Sequence, residues 1–220
     1  FIFYKPRDIV SGDFYWVTER KGEIIFAVAD CTGHGVPGAF MSMLGNSFLN
    51  EITKEAGANL SADQILNRLR DMINEALAQS GENVKAYDGM DISLCKYNIK
   101  KKEIEFSGAY NPLYLLRKGV FSEYKADRMP IGFHPKKKNF TSHTIQMEKG
   151  DAMYLFSDGF HDQFGGPFSK KYTTKQFKQI LTALSPQPLD EQLNRLEIEM
   201  ETWQGNNEQV DDVLIIGIRI

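Results

Sequence analysis

Glu23-Ile24-Ile25-Phe26-Ala27-Val28-Ala29-Asp30-Cys31-Thr32-Gly33-His34-Gly35 is the stretch that decides how this chain is read. The run Ile24 to Ala29 is apolar throughout and is bounded by turn residues, so it reads as a strand covered on both faces. It ends on a carboxylate, Asp30. The same arrangement recurs downstream. Met153 to Phe156 leads through Ser157 to Asp158, and Asp211 with Asp212 opens the run Val213 to Ile218. Asp13 sits between apolar neighbours in Ser11-Gly12-Asp13-Phe14-Tyr15-Trp16. Carboxylates at the ends of buried strands are poorly hydrated and repel one another, and left unpaired they are forced towards protonation. No comparable set of Lys or Arg lies beside them in sequence. A divalent cation would keep them ionised, and carboxylate ligation with little His or Cys suits Mg²⁺ or Mn²⁺. Asp212 competes with Asp211 for this role. Adjacent side chains on a strand point to opposite faces, so only one of the two should reach the ions.

The composition is that of an ordinary globular chain of 220 residues, 42% hydrophobic and 25% charged, and its length fits one large domain or two small ones. A formal charge of −3 offers no basic field to recruit nucleic acid. Lys136-Lys137-Lys138 reads as a solvated loop. Cys31 and Cys95 are too few for a disulfide framework and point to a reducing compartment, hence a cytoplasmic location or the cytoplasmic part of a membrane-attached protein. No apolar stretch approaches the roughly 18–20 residues that span a bilayer, and no signal peptide is present. The chain opens on Phe1-Ile2-Phe3 rather than Met, and the expectation is a catalytic domain, residues 1–220, within a longer protein.

Strands are expected over Ile9 to Val17, Glu23 to Asp30, Asp91 to Ile99, Glu103 to Ser107, Leu113 to Arg117, Val120 to Tyr124, Thr141 to Met147, Asp151 to Phe156 and Val213 to Arg219. Short turns between several of them imply antiparallel neighbours. Four helices are expected. The first runs from about Pro37 to Lys54, with Phe40, Met43, Leu44, Phe48 and Ile52 as its buried stripe. The second starts at Ser61, where Ser61 with Gln64 forms a capping box and Leu60 staples onto Ile65, and stops near Gly81. The third starts at Thr173, with Gln176 and a Tyr172–Phe177 staple. The fourth carries Leu189, Leu193, Leu196, Met200 and Trp203. Two helix pairs flank a block of strands whose runs need cover on both faces. Two packed, mainly antiparallel sheets with a helix pair outside each meet both demands, an α+β fold in four layers, α/β/β/α.

Asp30-Cys31-Thr32-Gly33-His34-Gly35 is a strand end followed by a Gly-rich turn into a helix, whose N-terminus favours anions. Taken with Asp8-Ile9-Val10-Ser11-Gly12-Asp13-Phe14 and, in order, Phe106-Ser107-Gly108-Ala109-Tyr110-Asn111-Pro112, Met129-Pro130-Ile131-Gly132, Phe156-Ser157-Asp158-Gly159 and Val210-Asp211-Asp212-Val213, it resembles the SpoIIE-like (RsbU-type) branch of the metal-dependent protein phosphatases, type 2C. The resemblance covers essentially the whole chain. It implies the same α/β/β/α sandwich and hydrolysis of a phosphoserine or phosphothreonine protein by direct attack of a metal-activated water. It implies Asp30 as the carboxylate bridging two ions, Asp158 and Asp211 on the first ion, Asp13 on the second and the Cys31 carbonyl as a backbone ligand. The usual substrate of this branch is a small phosphorylated regulator, such as an anti-sigma-factor antagonist with a STAS fold. In relatives the first two helices couple upstream sensor domains or dimerisation to assembly of the metal site. The resemblance therefore implies a regulatory domain and a homodimer as partners here.

The chain departs from the family pattern in places. Type-2C enzymes often carry a proposed general-acid His close behind the bridging Asp. His34 lies farther along, and is read here as a proton donor or as a turn-stabilising residue. The phosphate-binding Arg of many relatives has no match, Arg7 and Lys5 being out of register. Tyr110 stands where many such chains have His. Asp162 matches a third-metal ligand of some relatives, with Asp88 or Asp91 to complete that site; surface carboxylates are the plainer account. His134, His143 and His161 show no zinc spacing, and Ser157 with His161 lacks the Gly-x-Ser-x-Gly elbow of a hydrolase. Two other readings stay open. One is a catalytically inactive, phosphoprotein-binding pseudophosphatase, against which the intact acid set weighs. The other is a hydrolase of a nucleotide-like phosphoester, against which the lack of a Gly-x-x-x-x-Gly-Lys-Ser/Thr loop weighs.

Overall fold

The structure is a computed structural model and describes residues 1–55, 60–78 and 88–220. In chain order the elements are β1 (Ile2–Lys5), β2 (Phe14–Arg20), β3 (Glu23–Cys31), α1 (Gly35–Glu55), α2 (Ala62–Ala76), β4 (Met90–Asn98), β5 (Glu103–Ala109), β6 (Leu113–Arg117) and β7 (Val120–Tyr124). They continue as β8 (His143–Gln146), β9 (Ala152–Phe156), α3 (Gly159–Asp162), β10 (Phe164–Gly165), β11 (Lys170–Lys171), α4 (Thr174–Leu184), α5 (Leu189–Gln204) and β12 (Val213–Arg219). One five-stranded sheet has the order β2-β3-β4-β5-β8 and a second the order β1-β12-β9-β6-β7, with β10-β11 as a separate ribbon. Every strand pairing in the two large sheets is antiparallel.

The continuous apolar character of β3 has a direct cause. Ile25, Ala27 and Ala29 face the helices and pack with Met41, Leu49, Ile52, Ile65 and Leu69. Phe26 and Val28 face the other way, into a core between the sheets that holds Leu115, Met153, Leu155 and Leu214. On the far side Tyr154, Phe156 and Ile215 pack against Phe177, Leu181, Leu196 and Met200 of α4 and α5. Strand residues alternate between two different cores because successive side chains point to opposite faces. Three cores between four layers make the expected α/β/β/α sandwich.

Helix starts follow the expected chemistry. The Ser61 N–H donates to Gln64 Oε1 at 3.1 Å, and Thr173 Oγ1 accepts from the Gln176 N–H at 3.4 Å. Arg70, 1% exposed, ties α2 to the segment 129–140. Its guanidinium donates to the Lys138 carbonyl at 2.5 Å and to Asn67 Oδ1 at 2.9 Å, and lies 4.9 Å from the centre of the Phe140 ring. No described helix is long and apolar enough to cross a membrane.

Some expectations are corrected. The strand expected over Ile9 to Val17 begins only at Phe14, and Ile9 is fully exposed. Arg7 and Gly12 give their amides to a buried carboxylate instead of a ladder, as described below. The short elements β1, α3, β10 and β11 went unread because each is four residues or fewer. α2 ends at Ala76, with Ala78 in a left-handed turn at φ 49°, short of the stop expected near Gly81, which itself lies outside the described residues.

The buried stripe of α1 is partly different. Of the expected residues Leu44, Phe48 and Ile52 pack against the core, but Phe40 and Met43 are 65% and 68% exposed, and Gly38, Met41, Gly45 and Leu49 are buried in addition. The helix comes so close to its neighbours that its inner face is built on glycine, which carries no hydrophobic signal. A Cβ on Gly38 would lie 2.1 Å from the Gly33 carbonyl oxygen and 2.8 Å from the Gly12 Cα. One on Gly45 would lie 2.9 Å from the Phe14 ring.

Helix propensity alone would make Gly38→Ala stabilising by about 1 kcal/mol. Because the obstructing atoms are backbone, a net loss of about 2 kcal/mol is expected instead. It should appear as a lowered urea midpoint at unchanged m-value; a midpoint that stays or rises would contradict the close approach.

Candidate functional site

Both sheets deliver acids to one end of the sandwich. Asp13 immediately precedes β2, Asp30 lies at the end of β3, and Asp91 at the start of β4 is its register partner. From the second sheet, Asp158 follows β9 at the head of α3, and Asp211 and Asp212 precede β12. Sequence positions almost 200 residues apart meet because β3 and β9 both point their C-terminal ends here while β2, β4 and β12 begin here.

A cavity of about 230 Å³ opens at this point, lined among others by Asp30, His34, Asp88, Asp91, Asp158 and Asp211. Among the described residues no Lys or Arg lines it. Asp13, 3% exposed, lies buried in the acid cluster, and its Oδ2 has no hydrogen-bond partner.

The electrostatics follow from burial of like charges. Burial first, then Asp212, Asp211 and Asp158, push the Asp13 carboxyl up to about 8, with the Ser157 hydroxyl pulling the other way. Asp30 is raised well above the usual range by burial and then by Asp13, Asp158, Asp211 and Asp91. Asp91 is raised to about 7 by burial and then by Asp158, and Asp158 to about 6 by burial, Asp211 and Asp162. Asp211 is raised by burial, opposed by the Asp212 N–H that its Oδ1 accepts at 2.8 Å.

The two adjacent aspartates have separate work. Asp212 accepts from the Arg7 N–H at 2.7 Å and the Gly12 N–H at 2.8 Å, one on each oxygen, and is buried. It anchors the backbone through both oxygens and is not among the cavity's lining residues, whereas Asp211 is. His34 lines the cavity too, with Nδ1 2.8 Å from Asp8 Oδ2. Cys31 is a buried free thiol, raised well above its usual range by burial and then by Asp30.

The remaining sequence candidates fall elsewhere. Asp162 is paired with Lys171 at 2.7 Å. His161 packs against the Phe177 and Phe156 rings, and His143 against Phe106, so the histidines stay dispersed. Ser157 Oγ accepts from the Leu214 N–H at 3.0 Å. Tyr110 is 46% exposed at a left-handed turn position, φ 54°. Arg7 donates to the Val210 carbonyl at 2.8 Å. Asp8 was not singled out in the sequence, and no spacing rule finds it, since its partner is 26 residues away.

Among the described residues no three carboxylates, imidazoles or thiols surround a single point closely enough to ligate one ion unaided. Mg²⁺ characteristically keeps several waters and takes only one or two carboxylates directly. A hydrated divalent ion therefore fits an acid cluster with an unpartnered buried oxygen on Asp13 and, among the described residues, no cationic side chain at the cavity wall.

The family model described as Stage II sporulation protein E (SpoIIE) matches residues 20–220. Phosphoserine phosphatase RsbU of Bacillus subtilis (strain 168) is 29% identical over 160 residues, which is 70% of this chain and 44% of that protein. The chain thus spans less than half the length of this curated relative. The SiaA-PP2C domain of Pseudomonas aeruginosa superposes with a TM-score of 0.88 at 31% identity, covering 100% of this chain and 85% of that one. RsbX in complex with magnesium shares the fold, with a TM-score of 0.65 at 17% identity over 98% of this chain and 92% of that one. From the match over residues 20–220 and the likeness to the SiaA domain, the chain belongs to the SpoIIE family of PP2C-like phosphatase domains.

Proposed function

We propose that residues 1–220 are the catalytic domain of a divalent-metal-dependent serine/threonine protein phosphatase. The observation that carries this reading is the convergence of Asp30, Asp158 and Asp211 in the wall of a cavity that, among the described residues, lacks Lys and Arg, with Asp13 buried in the same acid cluster. A phosphate dianion cannot enter such a field unless cations are present to offset it. Bound Mg²⁺ or Mn²⁺ would lower the pKa of water and neutralise charge on the phosphoryl oxygens. Asp30 would lie between two ions, Asp158 and Asp211 would hold the first, and Asp13 the second, with the Cys31 carbonyl as a backbone ligand. His34 would deliver a proton to the departing seryl or threonyl oxygen.

RsbU is named a phosphoserine phosphatase, and that likeness supports a phosphoserine protein as substrate; the STAS-type regulator follows from the family resemblance alone. A regulatory segment of the longer protein, or a second copy, would dock on α1. Val36, Phe40 and Met43 leave an apolar face exposed there. Replacing Phe40 and Met43 together by Ser should change folding stability by no more than about 0.5 kcal/mol. It should weaken regulation in a chain that carries its upstream segment; unaltered regulation would remove α1 from that role.

Hydrolysis of p-nitrophenyl phosphate and of a phosphoserine peptide should need Mn²⁺ or Mg²⁺, stop with EDTA and fall at least about 100-fold in Asp30→Asn. Turnover indifferent to the chelator would reject the mechanism. A folded, metal-replete protein with no turnover would favour the phosphoprotein-binding reading.

Without metal, the raised acids bind protons more tightly folded than unfolded, where Asp titrates at about 3.9. Their contribution is fully present below that value and is lost as pH rises through about 6 for Asp158, 7 for Asp91 and 8 for Asp13. The melting temperature of chelator-treated protein should therefore fall as the pH is raised across this window. Saturating Mg²⁺ should flatten the dependence, and Asp13→Asn should reduce it. A chelated protein that grows more stable over the same window would contradict the clustered-acid account.

A further inference from the structure

We infer that Asp8 is a positioning residue that holds His34 in register to protonate the leaving group. This rests on the phosphatase reading above. The His34 Nδ1 lies 2.8 Å from Asp8 Oδ2, and His34 lines the acid cavity. An Nδ1–H donated to a carboxylate fixes the tautomer and the plane of the ring, which leaves Nε2 as the nitrogen available to the cavity. Asp8 belongs to no strand or helix, yet its place is fixed from both sides. The Arg7 and Gly12 N–H groups are bound by the two oxygens of buried Asp212 at 2.7 and 2.8 Å, and the Arg7 guanidinium reaches the Val210 carbonyl at 2.8 Å. Gly35, at φ +63°, lies directly beneath; a Cβ there would sit 3.3 Å from Asp8 Oδ2. The strap that carries Asp8 is thus fastened to the turn that carries Asp211.

The chemistry balances. As water oxygen bonds to phosphorus, the bond from phosphorus to the seryl oxygen breaks, and that oxygen takes the proton from imidazolium Nε2. His34 is left neutral with Nδ1–H still on Asp8. It regains a proton from solvent, to which both side chains are 46% exposed, while the proton lost by the attacking water passes to solvent. A seryl alkoxide needs this proton; a p-nitrophenolate departs without it. An exposed ion pair that merely trimmed a loop would contribute little and would not distinguish the two leaving groups.

The test uses the protein loaded with Mg²⁺ and compares Asp8→Asn, His34→Gln and the double variant on the two substrates. Asp8→Asn keeps the shape of the side chain. Its kcat on the phosphoserine peptide should fall about tenfold, with a loss on p-nitrophenyl phosphate several-fold smaller. The double variant should be no slower on the peptide than His34→Gln alone. The ¹⁵N imidazole resonances of His34 should show one Nδ1–H tautomer in the starting protein and a tautomer mixture in Asp8→Asn. Equal losses on both substrates, no loss on either, or an unchanged His34 tautomer would overturn the assignment of Asp8. Absence of Mg²⁺-dependent turnover of both substrates in the unmodified chain would instead overturn the phosphatase reading, and this inference with it.

Discussion

Repulsion among carboxylates gathered at one end of the sandwich is the constraint on which everything else in this molecule depends. Asp13, Asp30, Asp91 and Asp158 are each driven above the ordinary range chiefly by burial, and then by one another. Left to itself such a cluster would splay its strands apart. It cannot, because those strands are gripped by close-packed cores on both faces: Ala27, Val28 and Ala29, which lead up to Asp30, are fully buried. Interiors at this density do not yield continuously. The cores hold together what electrostatics would separate, and the strain is discharged by protons or by cations.

A second set of buried polar groups acts on the loops rather than on the strands. Asp212 spends both oxygens on backbone amides of the segment leading to Asp13. Gln163, fully buried, donates to the Glu208 carbonyl at 2.8 Å and accepts from the Val210 N–H at 3.1 Å, which fixes the approach to Asp211. Ser157 accepts from the Leu214 N–H just before Asp158. These side chains are satisfied within the protein, as buried polar groups generally are. Asp13, its Oδ2 left without a partner, stands out against them. A satisfied carboxylate, Asp212, and one with an unpartnered buried oxygen, Asp13, thus lie close to one another.

The sandwich was legible because its strands are apolar on both faces and its helices come in capped, striped pairs. β6, β7 and β12 were read to the residue, and most other strands to within one or two. The acids at the strand ends were legible for the same reason, since each borders an apolar run. The division of labour between Asp211 and Asp212 was not, because it depends on amides 200 and 205 residues distant. Nor was the inner face of α1. Hydrophobic counting favoured Phe40 and Met43, whereas the contact surface is centred on Gly38 and Gly45. The Asp8–His34 pair escaped because it joins a loop to a turn across the site, with no periodicity to announce it.

The first and last strands of the domain lie side by side. β1 and β12 pair antiparallel from Ile2 with Ile216 to Lys5 with Val213, and the Phe1 backbone nitrogen donates to the Gly217 carbonyl at 2.8 Å. Both chain ends therefore leave from the same edge of this ribbon. Tension applied to them loads the rungs one after another, as in opening a zipper, rather than shearing them all at once. β1 is an edge strand with a single neighbour, and beyond those rungs it is held by Phe3, buried against Phe160, and by the Tyr4 hydroxyl on the Asp13 carbonyl. Past Lys5 the next fastening is the Arg7 amide on Asp212, so a mechanical load on the ends would travel directly to the segment that carries Asp13.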